Sequence, residues 1–158
     1  MTTHRLNYRE VTPEGAKALG KVHQYLDACS LPHLLIDLVY LRVSLINGCA
    51  YCIDTHTRDL MKGGMSIEKI VLVPVWEESG ELFDRRERAA LAWAESLTRV
   101  SETHAPDQDY DAAEAVFSDV ELADLTLAIS VMNAYNRLGI GFRNTPKAVA
   151  ALHTSASA

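Results

Sequence analysis

Leu34 to Gly64, LLIDLVYLRVSLINGCAYCIDTHTRDLMKGG, is the stretch on which both the fold and the chemistry turn. From Leu34 to Ile46 it is apolar nearly all round, interrupted by Asp37, Arg42 and Ser44, a pattern that predicts a buried helix. Asn47-Gly48 supplies a C-terminal stop, and Cys49 then opens a second helix that runs to the Gly63-Gly64 pair. At about 100° per residue, Cys49, Cys52 and His56 fall within an arc of roughly 60°, so two sulfurs and an imidazole share one face.

The flanking chain reads as more helix. Thr12-Pro13-Glu14 places a capping residue before a proline at the first helical position, and Ala16, Leu19, Val22, His23 and Leu26 keep the helical spacing to about Ala28. Ser30 and Pro32 break that helix and start the next. After Gly64, Ser66-Ile67-Glu68 opens a short helix that must end before Pro74, whose ring removes a donor and restricts the preceding residue. Trp76 to Leu82 reads as a connection. A helix follows from Asp84 to near Val100, a polar loop from Ser101 to Gln108, and a short helix from Tyr110 to Phe117. Ser118-Asp119-Val120-Glu121 has capping-box spacing and opens a long apolar helix to about Leu138. The tail after Thr145 is expected to fray. No alternating stretch competes with these assignments, so the predicted class is all-α.

Composition narrows the function. With 158 residues, 48% of them hydrophobic, the chain is expected to form one domain over residues 1–158 with a substantial core. A net charge of −6 with no basic block argues against nucleic acid as a partner. The N-terminal residues MTTHRLNYRE lack an apolar core, and no run of about 18 uncharged apolar residues occurs, so a cytoplasmic protein with no membrane span is the expectation. Three cysteines, two of them spaced as CxxC, do not form a disulfide framework; in a reducing compartment the spacing points to redox chemistry or metal binding.

A thiol reacts with peroxides or disulfides only as the thiolate. Two features of the sequence favour that form. The first turn of a helix places unpaired N–H groups beside Cys49 and Cys52, and His56 lies one turn beyond Cys52, where it can take its proton. The two-residue gap also allows a disulfide across one turn, with one sulfur attacking and the other resolving. Asp37 is the next anomaly, because a carboxylate in an apolar helix costs several kcal/mol unless it finds a partner. If the two helices pair antiparallel about Asn47-Gly48, Asp37 comes alongside His56 and orients the imidazole or relays its proton.

At these residues the chain resembles the AhpD-like alkylhydroperoxidases of the carboxymuconolactone decarboxylase superfamily. The most specific part is LRVSLINGCAYCIDTHT, Leu41 to Thr57; LFDRRERAALAWAESLT and MNAYNRLGIGF resemble the family's later helices, and the likeness spans roughly residues 34–137. The resemblance implies an all-helical subunit assembling as a homotrimer or homohexamer. It also implies a CxxC centre, with no bound cofactor or metal, that reduces hydroperoxides with electrons from a thiol protein or dihydrolipoyl donor. Cys49, Cys52 and His56 match the motif directly. Asp37 stands where the family usually has glutamate, and Leu45 where glutamine is common; aspartate is shorter in reach by about 1.5 Å.

The expected function is therefore a thiol-dependent hydroperoxidase in which Cys52 attacks, Cys49 resolves, His56 acts as base and Asp37 orients it. The alternatives are a thiol–disulfide adaptor reducing a partner peroxiredoxin, a lactone decarboxylase, or a structural zinc site completed by Cys29, Asp37 or another histidine. Cys29 reads as a small buried hydrophobe. His4, His23, His33, His104 and His153 read as structural or surface groups, Trp76, Trp93 and Tyr135 as core or interface, and Tyr51 as pointing away from the reactive face. Arg42 and Arg137 are expected in buried or intersubunit pairs, and Asp84 to Arg88 as a solvated helix start.

Overall fold

The computed structural model describes residues 4–155. It consists of α1 (Tyr8–Val11), α2 (Pro13–Leu26), α3 (His33–Asn47), α4 (Ala50–Lys62), α5 (Ile67–Leu72), α6 (Arg85–Thr98), α7 (Val100–Thr103), α8 (Asp107–Glu114), α9 (Asp119–Gly141) and α10 (Lys147–Ser155). Two 3₁₀ turns, Val73–Glu78 and Gly80–Leu82, bridge α5 and α6. No strand occurs among the described residues.

α3 is the axis of the fold, packed by α4, α6 and α9. Because it is apolar all round, it serves two cores at once. Val39, Tyr40 and Val43 face a cluster with Leu26, Trp93, Leu125, Ile129 and Met132, to which Cys49 and Cys52 also belong. Leu38 and Leu41 face a second cluster with Leu60, Val73, Phe83 and Leu91. Each such side chain, fully withdrawn from water, stabilises the fold by about 1.5–3 kcal/mol. Arg42 lies among these residues with its desolvation cost offset by partners: its guanidinium meets Glu95 on α6 at 2.7 Å and donates to the Pro74 carbonyl at 3.2 Å. The expected pair for Arg42 is thus present; Arg137 instead lies exposed on α9 and bonds to Asn133.

Local chemistry explains the boundaries. Gly48 ends α3 in the left-handed conformation, φ 70°, which its missing Cβ permits, and the Cys49 N–H bonds back to Ser44 at 3.0 Å. α4 starts at once, with Cys49 as its N-cap. Reciprocal capping boxes start α6 (Asp84 with Glu87) and α9 (Ser118 with Glu121). The charged start of α6 is more than solvated surface, because Arg86 pairs with Glu121 at 2.7 Å and Glu87 with Lys69 at 2.6 Å.

Two segments differ from the sequence expectation. The polar stretch after Val100 contains the single-turn α7 before the loop. The segment after Thr145 folds as α10 instead of fraying, its Ala148 N–H bonded to Asp54 of α4 at 3.0 Å; residues 156–158 and the His153 side chain lie outside the described residues. At the other end, the Arg5 N–H bonds to the Phe142 carbonyl at 3.0 Å and Tyr8 stacks on Phe142 with ring centroids 5.9 Å apart. That contact seats α1 over the C-terminal end of α9, beside the start of α4. No helix among the described residues is long and apolar enough to cross a membrane.

Candidate active site

The first turn of α4 presents Cys49 and Cys52 to the core, and both are free thiols, as is half-buried Cys29. They contact each other: the Cys52 thiol donates to the Cys49 sulfur. That bond, with backbone N–H groups of Cys52 and Tyr51 and the Asn136 amide, outweighs burial and brings Cys49 from its ordinary 9.0 to about 7. The same bond, then burial and the adjacent charge, push Cys52 upward. Of the two sulfurs, Cys49 at the helix N-cap is therefore the more readily ionised. From the sequence, His56 one turn beyond Cys52 marks that sulfur as the attacker, and the helix terminus favours ionisation of Cys49; the lowered Cys49 pKa agrees with the second feature.

A polar network supports the pair from behind. Asn136 of α9, fully buried, donates to the Ser44 hydroxyl at 3.0 Å and accepts from the Asn47 amide at 2.9 Å. Asn47 also bonds to Asn133 at 2.9 Å. One turn further along α9, Gly139 leaves room for the sulfurs: a Cβ there would stand 3.0 Å from Cys49 Sγ and 3.6 Å from Cys52 Sγ. The sequence carried no spacing signal for Ser44, Asn136 or Gly139, since they reach the thiols from two other helices.

His56 lies one turn beyond Cys52 and is buried. Its Nδ1 stands 3.5 Å from Asp37 Oδ1 on α3 and 3.8 Å from Asp59 Oδ2 on its own helix. Both separations exceed a well-formed hydrogen bond, and the buried Nδ1 has no partner within bonding geometry. Antiparallel packing of α3 and α4 thus brings Asp37 to the imidazole, as the sequence suggested, but the short side chain stops short of it. Tyr40 packs its ring against His56 at 5.0 Å, and burial, reinforced by Asp27 and Asp37, keeps its phenol protonated. The Tyr40 hydroxyl lies 3.5 Å from His23 Nδ1.

Asp59 was not anticipated, although its place three residues after His56 on one helix made it legible. Asp37, His56 and Asp59 are the cluster whose ligand atoms come within 4.8 Å of one another, close enough to share a cation; neither cysteine joins it.

A cavity of about 180 Å³ opens onto Cys52 and His56. Its remaining wall includes Tyr8, Arg9, His23, Tyr51, Met132 and Tyr135. His23 and Tyr135, which sequence spacing marked as structural, line this cavity, and so does Tyr51, which the helical wheel turned away. Leu97 and Thr98 face a separate surface groove against α9, away from the thiols.

An all-helical fold with a buried dithiol at a helix N-terminus, a histidine one turn on and a carboxylate from the preceding helix defines a class. The family model of the carboxymuconolactone decarboxylase family matches residues 13–96, which hold Asp37, Cys49, Cys52 and His56, and the chain belongs to that family as an AhpD-like member. A Bacillus subtilis protein, the uncharacterised YdfG, is 32% identical over 142 residues, covering 90% of this chain and 96% of its own. A crystal structure from Agrobacterium tumefaciens, of a protein of unknown function provisionally described as the antioxidant defence protein AhpD, is 39% identical with a TM-score of 0.88, over 91% of this chain and 98% of that one. An uncharacterised peroxidase-related protein from Ralstonia eutropha JMP134, described as an alkylhydroperoxidase AhpD core, shares the fold at a TM-score of 0.76 and 20% identity, over 88% of this chain and 74% of that one.

Proposed function

We propose that the protein is a thiol-dependent alkylhydroperoxidase that reduces hydroperoxides through a Cys49–Cys52 dithiol/disulfide cycle. The observation that supports this best is the division of labour between the sulfurs: Cys52 and His56 line the cavity, while Cys49 holds the thiolate behind them. A hydroperoxide entering the cavity meets Cys52. The sulfur attacks the terminal peroxide oxygen, the O–O bond breaks, and the thiol proton passes by way of His56 to the departing alkoxide, giving a sulfenic acid and an alcohol. His56 turns Nδ1 to Asp37 and Asp59, which leaves Nε2 as the nitrogen that moves this proton. The Cys49 thiolate then displaces hydroxide from the sulfenic sulfur, which leaves as water with one proton from solvent, and the S–S bond forms. An external dithiol, a thiol protein or dihydrolipoyl donor, returns two electrons and two protons and restores both thiols. Cys49 is suited to the resolving step because it is already ionised near neutrality.

Replacing each cysteine by serine and trapping sulfenic acid after one equivalent of cumene hydroperoxide tests the assignment. Label on Cys52 in Cys49→Ser, and none in Cys52→Ser, is expected; the reverse pattern exchanges the roles. A purified protein that turns over no peroxide with dithiol, yet reduces a peroxiredoxin disulfide, is an adaptor instead. The family resemblance and exposed apolar side chains such as Val71, Val75, Val120 and Ile140 also support assembly as a homotrimer or homohexamer. A sedimentation mass equal to one chain would contradict it.

A further inference from the structure

The cavity that serves Cys52 has a charge of its own. The protein carries a net −6, yet among the described residues no aspartate or glutamate lines this cavity, and the permanently charged wall residue is Arg9. Arg42, Arg86 and Lys69 are each taken up by a carboxylate, Glu95, Glu121 and Glu87, and Arg88 by the backbone carbonyls of Trp76, Glu77 and Gly80. Arg9 pairs with no carboxylate among the described residues. Its guanidinium lies 5.8 Å from the centre of the Tyr8 ring, and Nε donates to the Tyr8 hydroxyl at 3.4 Å, a single long bond that leaves the other N–H groups of the fork for a ligand. The Tyr51 and Tyr135 phenols also lie near enough to act on Arg9 electrostatically. Both are cavity-wall residues, and each carries an O–H able to donate to an anionic acceptor.

We propose that Arg9, with the phenols of Tyr8, Tyr51 and Tyr135, is a carboxylate-binding subsite that selects hydroperoxides bearing an acid group. The proposal deepens the peroxidase assignment by naming the substrate class of that same site. The planar guanidinium fork matches a carboxylate with two parallel hydrogen bonds, and α1, held by Tyr8 stacking on Phe142, brings Arg9 to the cavity wall. The aromatic lining suits a compact apolar body between the acid and the peroxide. At about 180 Å³ the cavity exceeds the roughly 150 Å³ that admits a benzene ring.

The test uses two probes that differ by one charge: 4-(2-hydroperoxypropan-2-yl)benzoate and its methyl ester, with the matching alcohols as non-reactive ligands. Calorimetry of the reduced protein with the two alcohols reads binding apart from turnover. The acid is expected to bind about 10-fold more tightly than the ester, with the ratio falling as salt is added. Arg9→Gln should bring the ratio close to one, and Arg9→Lys should keep part of it. The same ratio should appear in kcat/KM for the two hydroperoxides. Equal binding of acid and ester, or a preference that Arg9→Gln retains, overturns the subsite. Arg9-dependent binding of the acid with no turnover of either hydroperoxide leaves the subsite standing and overturns the peroxidase assignment; equal turnover of both does the opposite.

Discussion

Raising the pH from 7 to 9 should stabilise the reduced protein through Cys49. Its pKa is about 7 in the fold against 9.0 for an ordinary cysteine, so between those values the folded chain carries a thiolate where the unfolded chain carries a thiol. The unfolded state then binds more protons, and stability rises with pH. Each pH unit contributes about 1.4 kcal/mol, so the gain across the window reaches at most about 3 kcal/mol. This contribution is fully present above the unfolded value and is lost as pH falls through about 7. Cys52 acts in the opposite sense: its pKa is raised in the fold, so above its unfolded value the folded chain holds a proton that the unfolded chain releases, and stability falls. The thiol pair therefore gives a stability maximum near pH 9. Urea unfolding in the presence of reductant, in half-unit pH steps, reads this directly, and the difference between wild type and Cys49→Ser isolates the thiol pair from the titrating groups outside it. A thiolate absorbance midpoint near 7 should accompany it. A difference that stays flat between pH 7 and 9, with a thiolate midpoint near 9, would refute the helix-terminal thiolate.

Asp37→Glu adds about 1.5 Å of reach to a carboxylate that stands 3.5 Å from His56 Nδ1, so peroxide turnover should rise several-fold, whereas Asp37→Asn should lower it by about 100-fold. Steady-state kinetics with cumene hydroperoxide decide it, and two neutral substitutions would remove Asp37 from the relay. Gly139→Ala gains about 1 kcal/mol of helix propensity but puts a Cβ 3.0 Å from Cys49 Sγ, and overpacking of that kind costs about 1–3 kcal/mol. Slower disulfide formation and a small loss of stability are expected. Gly141→Ala, which meets nothing within 4 Å, should be neutral or stabilising. Equal behaviour of the two variants in stopped-flow oxidation would show that Gly139 does not shape the dithiol.

What the sequence made legible was local. Gly48, Pro13, the capping box at Ser118 and the apolar run of α3 each act through neighbours a few residues away, and the helices form where those signals place them. The triad of Cys49, Cys52 and His56 was legible for the same reason, being one face of one helix. Asp37 could be inferred because a tight turn at Asn47-Gly48 leaves few ways to pack α3 on α4. The cavity was not legible: Tyr8, His23 and Tyr135 converge from α1, α2 and α9, and no spacing in the chain encodes that meeting. Which sulfur of the pair is the more acidic was less legible, because His56 in the motif points to Cys52 while the start of the helix favours Cys49. The N-cap position of Cys49 and the bond donated by Cys52 depend on where α4 begins, to the residue. α10 was missed because its small and polar residues resemble a tail, while the bond from Ala148 to Asp54 ties it to α4.

The dithiol cycle is tested most directly by intact-protein and peptide mass spectrometry after one equivalent of hydroperoxide. The expected result is a loss of two hydrogens, mapped to a Cys49–Cys52 bridge and fully reversed by an added dithiol, with Cys29 unchanged. An unchanged mass, or a bridge that involves Cys29, would contradict it.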